Sequence, residues 1–175
     1  IENEFLNQGI QMLIDGNDER GIDVGLMSRQ GYPIGRMRSH VDDRQANGQT
    51  IFSRDCPEFE VTTPSDARLV ILVNHFKSKG YGSTASSNAR RCAQAERVAE
   101  IYRELIGYGV EHIAIMGDFN DTPGSAPLAP LLDQTDLKDI FKHPAFDDGG
   151  WPGTYDLCNA GNKIDYILLS PSLFD

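Results

Sequence analysis

Two short apolar runs dominate the chain: Leu-Val-Ile-Leu-Val at 69–73 and Ile-Ala-Ile-Met at 113–116. Unbroken runs of this length predict strands covered on both faces. Residues 164–169 and 22–28 read as further strands, each interrupted by a carboxylate, Asp165 and Asp23. Residues 59–62 alternate apolar and polar, which predicts a strand near a sheet edge. Phe5, Leu6, Ile10, Leu13 and Ile14 have a helix-like spacing over 5–14. Residues 32–49, with Pro33, Gly35, Asn47 and Gly48, predict a loop.

A small polar loop over 80–87 leads into a long helix. Cys92, Ala95, Ala99, Tyr102 and Ile106 mark its apolar face, Arg90, Arg91, Arg97 and Arg103 fall mostly off it, and Gly107 and Gly109 end it. Residues 128–132 and 137–141 read as short helical pieces, and 143–153 as a loop. No repeat, low-complexity tract or linker divides residues 1–175, so a single domain is expected. A long helix between buried strands, with few others, implies an α/β or α+β layered fold.

Composition sharpens this picture in two places. The net charge is -10, which disfavours nucleic acid as a general partner, so phosphate chemistry must rest on local cations or a bound metal. No stretch approaches the roughly 18 apolar residues of a membrane span, so no membrane partner is expected. Cys56, Cys92 and Cys158 form no CxxC or zinc spacing and indicate no particular compartment; Cys92 reads as core. The polar turn at 15–19 is not a calcium loop, because Arg20 stands where such a loop needs glycine.

Candidate chemistry gathers at the ends of the apolar runs. Gly117 suggests a backbone that passes close to something, and Asp118, Phe119 and Asn120 follow it. If the strand persists, period two puts Asp118 and Asn120 on one side. An Asx turn closing the strand explains the same residues equally well. His75 ends the other run with Lys77 and Lys79 close behind, a titratable ring beside two cations that suits a phosphate. Arg54 on its own reads as a surface arginine. Asp165 and Asp23 sit in apolar strands, where a carboxylate needs a partner.

Together these segments resemble the endonuclease/exonuclease/phosphatase superfamily, which includes pancreatic-type deoxyribonuclease, apurinic/apyrimidinic endonucleases, neutral sphingomyelinases and inositol-polyphosphate 5-phosphatases. Gly117-Asp118-Phe119-Asn120 is similar to its GDFN signature, and Lys163-Ile164-Asp165-Tyr166-Ile167 to its late [RK]-[IL]-D-Y-[IF] strand. The strand end at 74–80 resembles that of secreted bacterial nucleases and sphingomyelinases. Phe52-Ser53-Arg54-Asp55 resembles the phosphate-contacting F-S-R-[ED] of the deoxyribonuclease branch, and Gly25-Leu26-Met27-Ser28-Arg29 a strand of the apurinic endonucleases. The segments keep the family's order over residues 20–170.

The resemblance implies a four-layer α/β (α+β) sandwich, two β-sheets face to face and flanked by helices, here lacking outer portions. It implies Mg²⁺ or Mn²⁺ as cofactor, with Asp118 and Asn120 on the metal side. Asp118 would orient or deprotonate the attacking water, and Asn120 would donate to the phosphoryl oxygen. His75 would be a phosphate donor or general acid, and Arg54, Lys77 and Lys79 would bind phosphate. Asp23 would support the His75 ring. The family's main metal-binding Glu is expected just before Ile1, with Glu2 one residue off and facing away. Its closing S-D-H, whose His Asp165 would fix, is expected after Asp175, since none of His40, His75, His112 or His143 has that context. The implied activity is phosphodiester hydrolysis, with DNA ahead of RNA as substrate. A phosphatase or sphingomyelinase of the same fold, or a non-catalytic binding domain, are the alternatives. The 175 residues alone are expected to be nearly inactive on DNA with Mg²⁺.

Overall fold

The computed structural model describes residues 8–80 and 82–175; Glu2 lies outside them. Its centre is a parallel pair, β5 (Arg68–His75) and β6 (His112–Asp118). Parallel neighbours need a crossover, and the helix α1 (Thr84–Gly107) supplies it. Ser83 caps its start by accepting from the Ser86 amide, and Gly109, at φ +80°, turns the chain away from its end.

The other strands assemble around this pair. β4 (Glu58–Thr62) runs antiparallel to β5, with β3 (Ile34–Arg38) outside it. β8 (Asp165–Leu169) runs antiparallel to β6, with the short β7 (Lys138–Asp139) beyond. The six-stranded order is β3-β4-β5-β6-β8-β7. A second sheet pairs β1 (Gln8–Ile14) with β2 (Val24–Arg29). Short helices α2 (Ala129–Leu132) and α3 (Pro171–Phe174) complete the set.

Each face of the large sheet has its own core. Val70, Leu72, Ile113, Ile115 and Leu168 meet Ala95, Val98, Ile101, Tyr102 and Leu105 of α1. On the opposite face Phe59, Val61, Ile71 and Ala114 pack with Met12 of β1 and Leu26 of β2. The result is an α/β sandwich of helix, large sheet and small sheet. A helical layer outside the small sheet, which four layers would require, is not found among the described residues.

Several local expectations are corrected. Residues 8–14 form a strand in place of the expected helix, with Met12 packing inward while its neighbour Leu13 is exposed. Residues 5–7 lie outside the described part. The 32–49 loop contains β3, whose pairing with β4 overrides its turn-rich composition; β3 is the edge strand and 59–62 lies next to it, near the edge as expected. Residues 138–139 join the sheet as β7, and a 3₁₀ turn (Ile140–Lys142) follows. α1 begins within the expected loop and is rotated relative to the expected face. Cys92 is half-buried and Ile106 exposed, while Arg91 is 1% exposed. Arg91 is tolerated there because Asp121 pairs with it at 3.1 Å.

Candidate active site

Strand register builds the site. His75 is the β5 partner of Asp118, and Asp118 is the β6 partner of Asp165. Partners in register project from the same face, so the three side chains form one row at the sheet's end. β5 and β6 finish there because they are parallel; β8 starts there because it is antiparallel. His75 Nε2 lies 3.6 Å from Asp118 Oδ2.

The turn beyond β6 brings in Asn120 by a route that alternation does not predict. β6 ends at Asp118, and Asn120 adopts a left-handed backbone, φ +53°. Asn is among the few side chains that tolerate this conformation. Its amide donates to Asp118 Oδ1 at 2.8 Å, an Asx turn, and its Nδ2 donates to the Phe76 carbonyl at 3.1 Å. The turn and the site are therefore the same object. Beneath it Phe119 stacks between Phe76 and Tyr166, with centroids 4.8 and 4.9 Å apart. Gly117 explains itself: at φ +132° a β-carbon would stand 1.9 Å from the Asn74 carbonyl oxygen.

Electrostatics set these groups apart. Burial, and then the neighbouring Asp165 charge, push the Asp118 carboxyl above its ordinary value, against the Asn120 amide, His75 and Arg54. Burial and the Arg54 guanidinium push the His75 imidazole below its ordinary value, with Asp118 opposing. Asp118 and Asn120 line a cavity of about 550 Å³ with Lys79, Thr122, Tyr155 and Asn162.

The remaining expected residues divide. Arg54 is 5% exposed, more deeply placed than a simple surface clamp. It pairs with Asp18 Oδ2 at 3.2 Å and donates to the carbonyls of His75 and Phe76 at 3.4 and 3.3 Å. Lys77 lines a second cavity with Arg54, and its Nζ donates to the Ser78 carbonyl. Lys79 faces the cleft but holds Asp121 at 2.6 Å. Asp23 Oδ1 accepts from the Gly16 amide at 2.6 Å, and among the described residues no hydrogen bond or ion pair joins it to His75.

Three further residues, not marked by any sequence pattern described above, support the site. Asp121 joins Lys79 and Arg91; against the cost of burial, Lys79 and the Thr122 amide hold its carboxyl below the usual range. Thr154 Oγ1 accepts from the amides of Ile164 and Asp165, fixing the start of β8. Tyr155 follows it, exposed and lining the cleft. The signal available for Asp121 was its place directly after the Gly-Asp-Phe-Asn run; Thr154 and Tyr155 carry none.

The donors suit a hard cation. Among the described residues no group of three His, Cys, Asp or Glu side chains forms a metal cage. Mg²⁺, however, is commonly held by one or two carboxylates and keeps several waters. Asp118 and Asp165, adjacent in register, with the Asp165 charge adding to the cost of ionising Asp118 and an amide beside them, fit that requirement.

The chain is similar in fold to several solved structures. These include an endonuclease/exonuclease/phosphatase family protein from Bacteroides thetaiotaomicron (TM-score 0.67, 14% identity, 98% of this chain and 64% of that one). A mannosyl-6-phosphatase from the same organism gives a TM-score of 0.63 at 18% identity, covering 93% of this chain and 63% of that one. The human Nocturnin catalytic domain with bound sulfate gives 0.69 at 15% identity, covering 97% and 63%. The chain thus spans less than two thirds of the length of these structures. No curated protein sequence matches it. A profile described as the Endonuclease/Exonuclease/phosphatase family matches residues 5–173. With that match over nearly its whole length, and with its Gly-Asp-Phe-Asn turn at the end of the central strand, the chain belongs to the endonuclease/exonuclease/phosphatase family.

Proposed function

We propose that the protein is a divalent-metal-dependent phosphodiesterase that hydrolyses nucleic acid, DNA ahead of RNA, by attack of an activated water. The observation that carries this reading is the row of His75, Asp118 and Asp165 across three neighbouring strands, with Asn120 folded back onto Asp118. Asp118 and the Asn120 amide oxygen would hold Mg²⁺ or Mn²⁺, with the Asp165 carboxylate beside them. The ion, when bound, supplies charge stabilisation at the phosphoryl group.

The chain's own groups supply the rest. Asp118 orients the attacking water and accepts its proton; a carboxylate with a raised pKa is a better base than an ordinary one. His75, with its pKa lowered, presents a neutral ring whose N–H donates to a phosphoryl oxygen. Asn120 keeps one Nδ2 hydrogen for the same task, the other being given to the Phe76 carbonyl. Arg54, held behind His75, adds positive charge to the phosphate side. Arginine and lysine gathered beside the row, in a chain of net charge -10, favour an extended anionic substrate.

The test is a nicking assay of supercoiled DNA with Mg²⁺ or Mn²⁺, on the natural gene product and on its Asp118→Asn variant. RNA, mannose 6-phosphate, sphingomyelin and inositol phosphates are run beside it. Metal-dependent nicking that the variant lacks is the expected result. Turnover confined to a phosphomonoester or to sphingomyelin overturns the substrate class, and nicking that survives Asp118→Asn overturns the site.

A further inference from the structure

Beside the strand-end cleft lies a second cavity, of about 520 Å³, whose wall includes Asp18, Arg20, Thr50, Arg54, Lys77 and Arg90. Ser78 lines both cavities, and Arg54 reaches from this one to the carbonyl of His75. We propose that this cavity is a second phosphate subsite, in which Arg90 receives a phosphate displaced along the substrate from the one that is cleaved. The proposal rests on the phosphoester reading of the first cleft.

The charges here do not balance: Asp18 and Glu19 share the wall with Arg20, Arg54, Lys77 and Arg90. Asp18 serves two arginines at once: Arg20 Nε and Nη2 approach its oxygens at 3.0 and 2.9 Å, and Arg54 Nε at 3.2 Å. Arg90 has no carboxylate within ion-pair distance among the described residues. Its Nη2 makes a long contact, 3.5 Å, with Thr50 Oγ1, and its Nε is buried with no partner among the described residues. A half-buried guanidinium facing a cavity has lost water without gaining an anion. Burial, and then the charges of Arg91, Arg54, Arg20 and Arg90, push the Lys77 ammonium below its ordinary value, so the cations around this wall feel one another. A phosphate offers what is lacking: negative charge, one unit on an internal diester and nearly two on a terminal monoester, and acceptor oxygens for the guanidinium fork. Arg90 comes from the first turns of α1 and Thr50 from the loop before Arg54, so both are fixed by ordered backbone.

A binding measurement tests this without catalysis. The ligands are thymidine 5′-monophosphate, thymidine 3′,5′-bisphosphate and tetrathymidylate, titrated calorimetrically in EDTA at fixed ionic strength. The expected result is that the second phosphate tightens binding and that Arg90→Gln removes about tenfold of that gain, the size of one charge-assisted contact. Arg90→Lys should recover part of it. For tetrathymidylate the slope of log K against log salt should fall by about 0.7 in Arg90→Gln, the signature of one lost contact to a single strand. A loss seen with the bisphosphate but not with tetrathymidylate assigns the subsite to small bisphosphorylated substrates. Should Arg90→Gln fail to fold, Arg20→Gln probes the same wall from an exposed position and should weaken both larger ligands severalfold. Equal affinity for mono- and bisphosphate, or folded variants that bind both as the wild type does, overturns the proposal. If the wild type binds with the Arg90 dependence but turns over no phosphoester with Mg²⁺, the hydrolase reading fails and the subsite stands.

Discussion

His40 and His75 show how differently the same side chain is used in one fold. His40 is 2% exposed, with Nδ1 3.0 Å from Asp43 and Nε2 2.6 Å from Glu58. Its backbone amide donates to Asp55, and Asp43 in turn binds Arg97 of α1. The ring thus ties the loop before β4 to the sheet and the helix, with both nitrogens spent. His75 has a 30% exposed side chain and a single carboxylate at 3.6 Å, too far for a firm hydrogen bond. A saturated histidine holds structure; a loosely held one at a cleft retains a donor for a ligand.

The largest test of that contrast is catalytic. In the natural gene product His75→Ala should lower phosphodiester turnover by about 10²- to 10⁴-fold, the range of a general acid or base, with little change in melting temperature. His75→Ala that unfolds the protein, or keeps its rate, breaks the comparison. The converse substitution comes next. His40→Ala leaves Asp43 and Glu58 without the ring between them and should cost about 3 kcal/mol, read by urea unfolding. A loss below about 1 kcal/mol would place His40 among ordinary surface histidines.

Asp118→Asn sharpens the same point from the acidic side. A carboxyl whose folded pKa is raised contributes stability below the unfolded value of 3.8 and loses it as pH rises through the folded value. At pH 7 the ionised Asp118 is therefore a burden, and the amide should melt at a higher temperature while turnover disappears. The advantage should vanish near pH 3, and added Mg²⁺ should raise the melting temperature of the wild type more than that of the variant.

The smallest effect is the pH response of His75. Its folded pKa lies below 6.5, chiefly through burial, so its contribution to stability is present above pH 6.5 and is lost as pH falls through the folded value. Wild type should lose stability relative to His75→Gln on acidification through that window. A relative gain would mean that Asp118 outweighs burial and Arg54.

Much of this was legible in the chain because buried strands write themselves as apolar runs. Residues 69–73 and 113–116, the long helix and the Gly-Asp-Phe-Asn turn are local signals that tertiary structure reinforces. Other features were hidden because their cause is a distant partner. Arg91 looks like a solvated helix residue until Asp121 is seen beside it, and His40 lacks meaning without Glu58. β3 owes its existence to β4, and in β1 the neighbours Met12 and Leu13 lie on opposite faces. Asn120 reaches the cleft through a left-handed turn, although period two would have brought it to the same side. Asp23, expected beside His75, accepts from the Gly16 turn amide, a partner that no local pattern announces.

The register of β5, β6 and β8 also has a consequence for refolding. His75, Asp118 and Asp165 come from strands far apart in sequence, one of them delivered by a crossover helix. A slip of β8 by one residue would present Tyr166 to Asp118 and turn Asp165 towards the helix-covered face. Most of the backbone pairing would survive such an error, and circular dichroism would scarcely register it. Long-range pairing of this kind is slow compared with helix formation. Recovery of activity after dilution from denaturant should therefore trail recovery of helical signal, and the lag measures how long the sheet spends finding its alignment.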